Sequence, residues 1–243
     1  MHNNPLVNID PSGHWCTSAD GKYSHAGGCN GGEEGVEIFA DYNGSTYVDD
    51  ETYAKNALID LLFKEFSNSK MAYSAIMNDP LGAVINNKGS INSVGGAFEI
   101  PPEALGAIIF REQATRKMSD NVLNVDTWIR GVAHSVGLGA IFPTTARSAW
   151  ENFGVGDQIP SSNYDLQKKL TTDNTFNITT IALVLYNKAD TNNINISSGD
   201  VNSWVSVLPY YNSSMSSPAA QQAGNNYSSR TAQYIPYIEI LLK

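Results

Sequence analysis

No apolar run in this chain approaches the roughly 20 residues needed to span a bilayer as a helix. Charge is sparse, at 16% of 243 residues, and basic charge is sparser still. Fifteen Lys and Arg stand against 24 Asp and Glu, a formal net charge of -9. A chain this acidic lacks the basic face that phosphate contacts require, which argues against a nucleic-acid partner. The N-terminus lacks the basic-then-apolar pattern of a secretory signal, so an exported form would need its address elsewhere in a longer chain. Cysteine is limited to Cys16 and Cys29. A small disulfide loop, two free thiols, or zinc held with His14 and His25 are the three readings, in that order. The zinc spacing follows no strong pattern, so no metal and no cofactor is expected. Asp41-Tyr42-Asn43-Gly44 is wrongly spaced for a calcium loop and reads as a turn.

What is present is a hydrophobic fraction of 42%, enough for a sizeable core. The acidic excess is uneven. Residues 1–103 hold 14 acidic and 5 basic side chains, whereas residues 104–243 hold 10 of each. In the second part Arg111, Arg116, Lys117, Arg130 and Arg147 outnumber nearby acids, and a mildly basic cleft there could receive an anionic polymer. Residues 16–50 are rich in Gly, Asn, Ser and Asp and read as an irregular linker or small appendage. From residue 51 the apolar spacing is helical, so the fold class expected is mainly α. Leu58, Leu61, Leu62 and Phe66 mark a first helix, and residues 84–100 read as a loop or short hairpin. Further helices are expected from Pro143 to Trp150, around Ile178–Leu185, and around Val201–Leu208. A last helix is expected around Tyr234–Leu242. Residues 213–229 read as a polar loop, and Pro236 is expected only in a first helical turn.

One carboxylate stands out. Pro101 and Pro102 suit a first helical turn. Leu105, Ile108, Ile109 and Glu112 then follow at i, i+3, i+4 and i+7, on one helix face. A carboxyl group in line with an apolar stripe is a candidate general acid, because burial raises its pKa. On this helix alone, a Glu tilted out to solvent is the plainer reading.

The order of features over residues 101–243 shifts that balance. It resembles the lysozyme-like lytic transglycosylases, in which an apolar helix ends in Glu, usually followed by Ser. Here the pair is Glu112-Gln113. A glycine turn running into Pro-x-Thr-Ala follows, here Ser135-Val136-Gly137-Leu138-Gly139-Ala140-Ile141-Phe142-Pro143-Thr144-Thr145-Ala146. Asn177-Ile178 matches an Asn-Ile that opens a helix. Tyr210-Tyr211-Asn212 stands in place of Ala-Tyr-Asn. The resemblance implies a lysozyme-like domain over residues 51–243 that cleaves peptidoglycan glycan strands between N-acetylmuramic acid and N-acetylglucosamine. Glu112 would be the lone acid and base. Ser135, Gly137, Leu138, Tyr211 and Asn212 would bind substrate. Asp120 or Asp126 could supply a second carboxylate and turn the reaction to hydrolysis; each also reads as a solvated loop residue. His134 reads as structural. Two departures bear on specificity: Ala140 replaces the family's glutamine, and Tyr210 replaces its alanine.

Residues 1–15, with Asn3-Asn4-Pro5 and Asp10-Pro11-Ser12-Gly13, resemble the junction that ends an Rhs/YD-repeat core. Such junctions precede variable C-terminal toxins. This resemblance implies a polymorphic toxin delivered as part of a larger exported bacterial protein, used in bacterial antagonism and paired with a cognate immunity protein. The alternatives are a hydrolytic muramidase, a non-catalytic glycan- or partner-binding domain, and a nuclease toxin, which the acidic charge disfavours.

Overall fold

The computed structural model describes residues 14–17, 24–26, 46–66, 69–116, 135–197 and 199–243. The chain divides into two compact units, residues 1–60 and 61–243. The first holds a small antiparallel sheet of β1 (His14–Thr17), β2 (Ser24–Ala26) and β3 (Thr46–Asp49), in the order β2-β1-β3. Trp15 pairs with Ala26 on one side and with Val48 on the other. These strands fall where the composition reads as irregular. Helix α1 (Asp50–Glu65) follows, with Asp50 and Glu51 in its first turn and Lys64 in its last, as the helix dipole favours. The Rhs-like junction up to Gly13, Cys29, His134, Asp120 and Asp126 lie outside the described residues, so the disulfide and second-carboxylate readings do too.

The second unit is helical, in accord with the mainly α expectation. Helices α2 (Ser69–Met77), α3 (Pro80–Ile85) and α4 (Lys88–Ala97) lead to α5 (Pro102–Thr115). Then come α6 (Pro143–Asn152), α7 (Asn163–Thr172), α8 (Asn174–Thr191), α9 (Val201–Val205), α10 (Leu208–Asn212) and α11 (Pro218–Leu242). Helix α5 is central: residues 104–111 are all buried, so it is enclosed on every side rather than along one stripe. It packs on α2, α3, α4 and α11. Helix α8 forms a second centre, packed on α4, α6, α7 and α10. Trp150 of α6 stacks on Phe176 of α8, and its indole N–H donates to Thr180 Oγ1 at 3.0 Å.

Four sequence expectations need correction. Residues 84–100 hold the end of α3 and all of α4, not a hairpin, because Asp79 caps α3 through Gly82 N and Val84, Ile91 and Val94 are buried at helical spacing. The helix expected over Val201–Leu208 is two short helices, since Pro209 has no N–H with which to continue the first. Helix α7 was not anticipated, although Ser162 caps it by accepting from Asp165 N at 3.0 Å. The polar loop expected at 213–229 is mostly helix. Ser217 caps α11, Pro218 fills its first turn, and Pro236 lies deep inside it. An interior proline costs about 3 kcal/mol. The buried face of Tyr227, Thr231, Tyr234, Ile238, Leu241 and Leu242 offsets that cost.

A buried ionic cluster ties the end of α1 to α5 and α11. Glu65 accepts hydrogen bonds from Arg111, from Arg230 at 3.0 Å, and from the Tyr234 hydroxyl. Its side chain is 5% exposed, so removing one partner would leave charge stranded. Close approach of α5 and α11 needs Gly106. A Cβ there would lie 2.5 Å from Ile238 Cγ2, a methyl group on a branched carbon that cannot swing aside. Gly106→Val is expected to destabilise the protein by about 2 kcal/mol or more through overpacking, read as a lower urea midpoint at unchanged m-value.

Candidate active site

The site is organised by the turn between Val136 and Ile141. These residues form an isolated antiparallel bridge with paired 3.0 Å hydrogen bonds, so residues 137–140 close into a tight loop. Gly137 has φ 75°, and a Cβ there would meet Asn177 Nδ2 at 2.0 Å and Leu170 O at 2.4 Å. Glycine is needed there for both reasons. Gly139 is needed for space alone, since a Cβ would lie 2.7 Å from the Tyr211 hydroxyl.

Two amide side chains clamp this turn. Asn177, fully buried, accepts from Gly139 N at 2.9 Å and donates to Leu170 O at 3.0 Å and Val136 O at 3.5 Å. Gln113 donates to Leu138 O at 2.9 Å and Gly137 O at 3.2 Å. Gln113 thus links the Glu112 helix to the turn. The Tyr211 hydroxyl adds a third tie, donating to Gly139 O at 2.7 Å.

A pocket of about 190 Å³ opens beside the turn, lined by Glu112, Ser135, Ala140, Ile141, Phe142, Thr145, Val184, Tyr211 and Asn212. Four of the sequence candidates therefore meet: Glu112, Ser135, Tyr211 and Asn212. Gly137 and Leu138 are not among the residues lining the pocket; their carbonyls are held by Gln113 instead. Thr145, the threonine of the Pro-x-Thr-Ala stretch, joins it, as do Val184 and Phe142, which is 47% exposed and carried no site signal of its own. Ala140 lines the pocket with φ 47°, a left-handed conformation strained for a residue with a Cβ. Among the described residues no Lys or Arg lines the pocket, and Lys117 and Arg130 lie outside the described residues. Arg111 is taken up by Glu65, and Arg147 braces the chain at Pro160 and Ser161. Among the described residues, no group of three or more His, Cys, Asp or Glu could hold a metal.

The chemistry centres on Glu112. Solvent reaches it through the pocket, but protein packs round its carboxyl group. Burial pushes its pKa up to about 7, while Tyr227 and the Arg111 charge pull it down less strongly. Burial, and then the Glu112 charge, raise the pKa values of Tyr211 and Tyr227 well above that of a free phenol, so both remain neutral donors. For Arg111 burial opposes the charge more than any single contact favours it, but the hydrogen bond and charge of Glu65 together with Tyr234 outweigh it and the guanidinium stays protonated. A carboxyl group that is half protonated near neutrality can give a proton and take one back. Tyr227 lay hidden in the apparent polar loop. Its signal was the spacing of Tyr227, Thr231, Tyr234 and Ile238, which carries the last helix's apolar stripe back two turns.

Because folding raises the Glu112 pKa from 4.5 to about 7, the folded state holds this proton more tightly than the unfolded chain. The resulting stability is present in full below about pH 4 and is lost as pH rises through about 7. Glu112→Gln is therefore expected to be more stable than the native protein at about pH 8, by up to about 3 kcal/mol, and no more stable at about pH 4. Urea unfolding at the two pH values measures this. Asn177→Ala leaves Gly139 N and Leu170 O without their partner, and should cost about 2–4 kcal/mol in the same assay.

No protein-family model, curated protein or solved structure matches this chain.

Proposed function

We propose that residues 51–243 form a lysozyme-like domain that cleaves the glycan strand of peptidoglycan, with Glu112 as its acid and base. The observation that carries this reading is a carboxyl group with a pKa near 7 at the wall of a small pocket that also presents Ser135, Tyr211 and Asn212. The pocket mixes hydroxyl and amide groups with the apolar surfaces of Ile141, Phe142 and Val184. That combination suits a sugar ring, which has hydroxyls at its rim and C–H groups on its faces. The volume admits a ring-sized group, below the usual range for a drug-sized ligand.

Glu112 is the one carboxylate lining the pocket among the described residues. The lone-acid reaction follows the resemblance; Asp120 and Asp126, either of which would turn it to hydrolysis, lie outside the described residues. Protonated Glu112 gives its proton to the glycosidic oxygen as the C1–O bond of N-acetylmuramic acid breaks. The resulting carboxylate takes the proton of that sugar's 6-hydroxyl, whose oxygen bonds to C1. The product is a 1,6-anhydro sugar, no water is consumed, and Glu112 is restored. Tyr211, anchored on Gly139 O, is placed to orient substrate or acid. Delivery within a larger exported toxin, action at the cell envelope and neutralisation by an immunity protein follow from the N-terminal resemblance and belong to the same proposal. Ala140 favours one second reading, a domain that binds glycan without cleaving it, because it offers no amide where the resembled family places one.

Purified protein incubated with intact peptidoglycan should release muropeptides whose mass carries the 1,6-anhydro end. Reducing ends, one water heavier, would indicate hydrolysis instead. Glu112→Gln should lower release by about 10³-fold. Since the first step needs the protonated acid, release should decline as pH rises above about 7. A wall left intact by the native protein rejects the enzymatic reading, and degraded RNA or DNA would point to a nuclease.

A further inference from the structure

We propose that Phe142 is a substrate-binding residue that sets affinity for the glycan, its ring being the platform on which the C–H face of a sugar stacks at the pocket. This rests on the glycan reading above and names a residue through which a sugar ring is held. Among the described residues the large exposed aromatic side chains are Phe63, Tyr73, Phe142, Phe153 and Tyr164. Phe63 and Tyr73 cover each other edge to face, with centroids 5.4 Å apart, and Phe153 packs on Phe98 and Tyr186. Phe142 is the one of the five that lines the pocket, and no other described ring lies against it. It therefore keeps apolar surface in water beside a cavity, where a ligand could cover it.

The backbone on both sides of Phe142 is fixed. Ile141 is bonded through its N–H and its carbonyl to Val136, each at 3.0 Å. Pro143 disfavours the helical region for the residue before it, and Phe142 is extended, with φ -69° and ψ 139°. Its carbonyl then accepts from Ala146 N at 2.9 Å as α6 begins. The ring thus stands on a rigid stem, and a ligand need not order the backbone beneath it. In the same pocket the hydroxyls of Ser135 and Thr145 and the side-chain amide of Asn212 make no hydrogen bond to other described residues. They are free to bind ring hydroxyls. The face of an aromatic ring carries negative charge density, which attracts the weakly positive C–H groups of a pyranose. An acyl chain or an aliphatic side chain would cover the phenyl ring equally well, but it would leave those three polar groups unpaired as it displaced their water. A sugar satisfies both surfaces.

The test measures binding apart from cleavage. A short soluble strand of alternating N-acetylglucosamine and N-acetylmuramic acid is titrated by calorimetry into the full chain carrying Glu112→Gln, with and without a second change at Phe142. Phe142→Ala should weaken binding about tenfold, the loss expected when about half of a phenyl ring is no longer covered. Phe142→Leu keeps apolar bulk without a π face and should recover little of that loss, whereas Phe142→Trp should bind as tightly as the parent. The urea midpoint should barely change in any of them, because the side chain is exposed. In NMR spectra of the complex, sugar C–H resonances should move upfield under the ring current of Phe142 and lose that shift with Phe142→Leu. Equal binding by Phe142→Ala, full recovery by Phe142→Leu, or no binding by the parent overturns the platform. If the platform is overturned while the native protein still releases muropeptides, the enzymatic reading stands without it. If binding depends on Phe142 while the native protein leaves peptidoglycan intact, the platform stands and the enzymatic reading falls.

Discussion

The side chain of Asn177 is the constraint on which the pocket depends. It is fully buried, and its bonds run to three stretches of backbone: the turn at Gly139, the bridge at Val136 and the end of α7 at Leu170. A buried amide is costly unless its oxygen and nitrogen are paired. The chain around Asn177 must therefore adopt the geometry that pairs them. The left-handed Gly137, the exclusion of a side chain at Gly139 and the bridge to Ile141 all belong to that geometry. Gln113 completes it from α5, so the residue next to the candidate acid helps fix the wall opposite.

A second layer of polar contacts lies behind that acid. Glu65 gathers Arg111, Arg230 and Tyr234 into one buried cluster. The cluster occupies Arg111, which would otherwise be free to pair fully with Glu112 and hold it ionised. Arg111 still lowers the Glu112 pKa, but burial prevails. The stability lost when Glu112 ionises is the counterpart of its readiness to act as an acid near neutral pH.

Much of this was legible in the sequence because it depends on local spacing. The helix that carries Glu112, its proline start and the helix around Ile178 follow from periodicity and turn chemistry. The meeting of Glu112, Ser135, Tyr211 and Asn212 was legible only through the order of short motifs, since it brings together residues far apart in the chain. What remained hidden depends on tertiary context. The polar surface of α11 masked a helix whose buried face runs from Tyr227 to Leu242, and Pro236 argued against it because the packing that offsets its cost is not local. Glu65 sits at a helix end, and nothing near it in sequence announces Arg111, Arg230 or Tyr234. Gly137 and Leu138 read as ligand contacts, yet their carbonyls are engaged by the Gln113 side chain from α5.

The clamping of the turn also has a kinetic side. Surface turns usually open freely and exchange their amide hydrogens fast. The Gly139 N–H, however, is bonded to an oxygen that solvent cannot reach unless α8 parts from its neighbours. Its hydrogen should exchange with the slow amides of the helical core, not with those of loops. The pocket wall would then move as part of the core, and a ligand would enter a cavity already formed, without having to order a loop first.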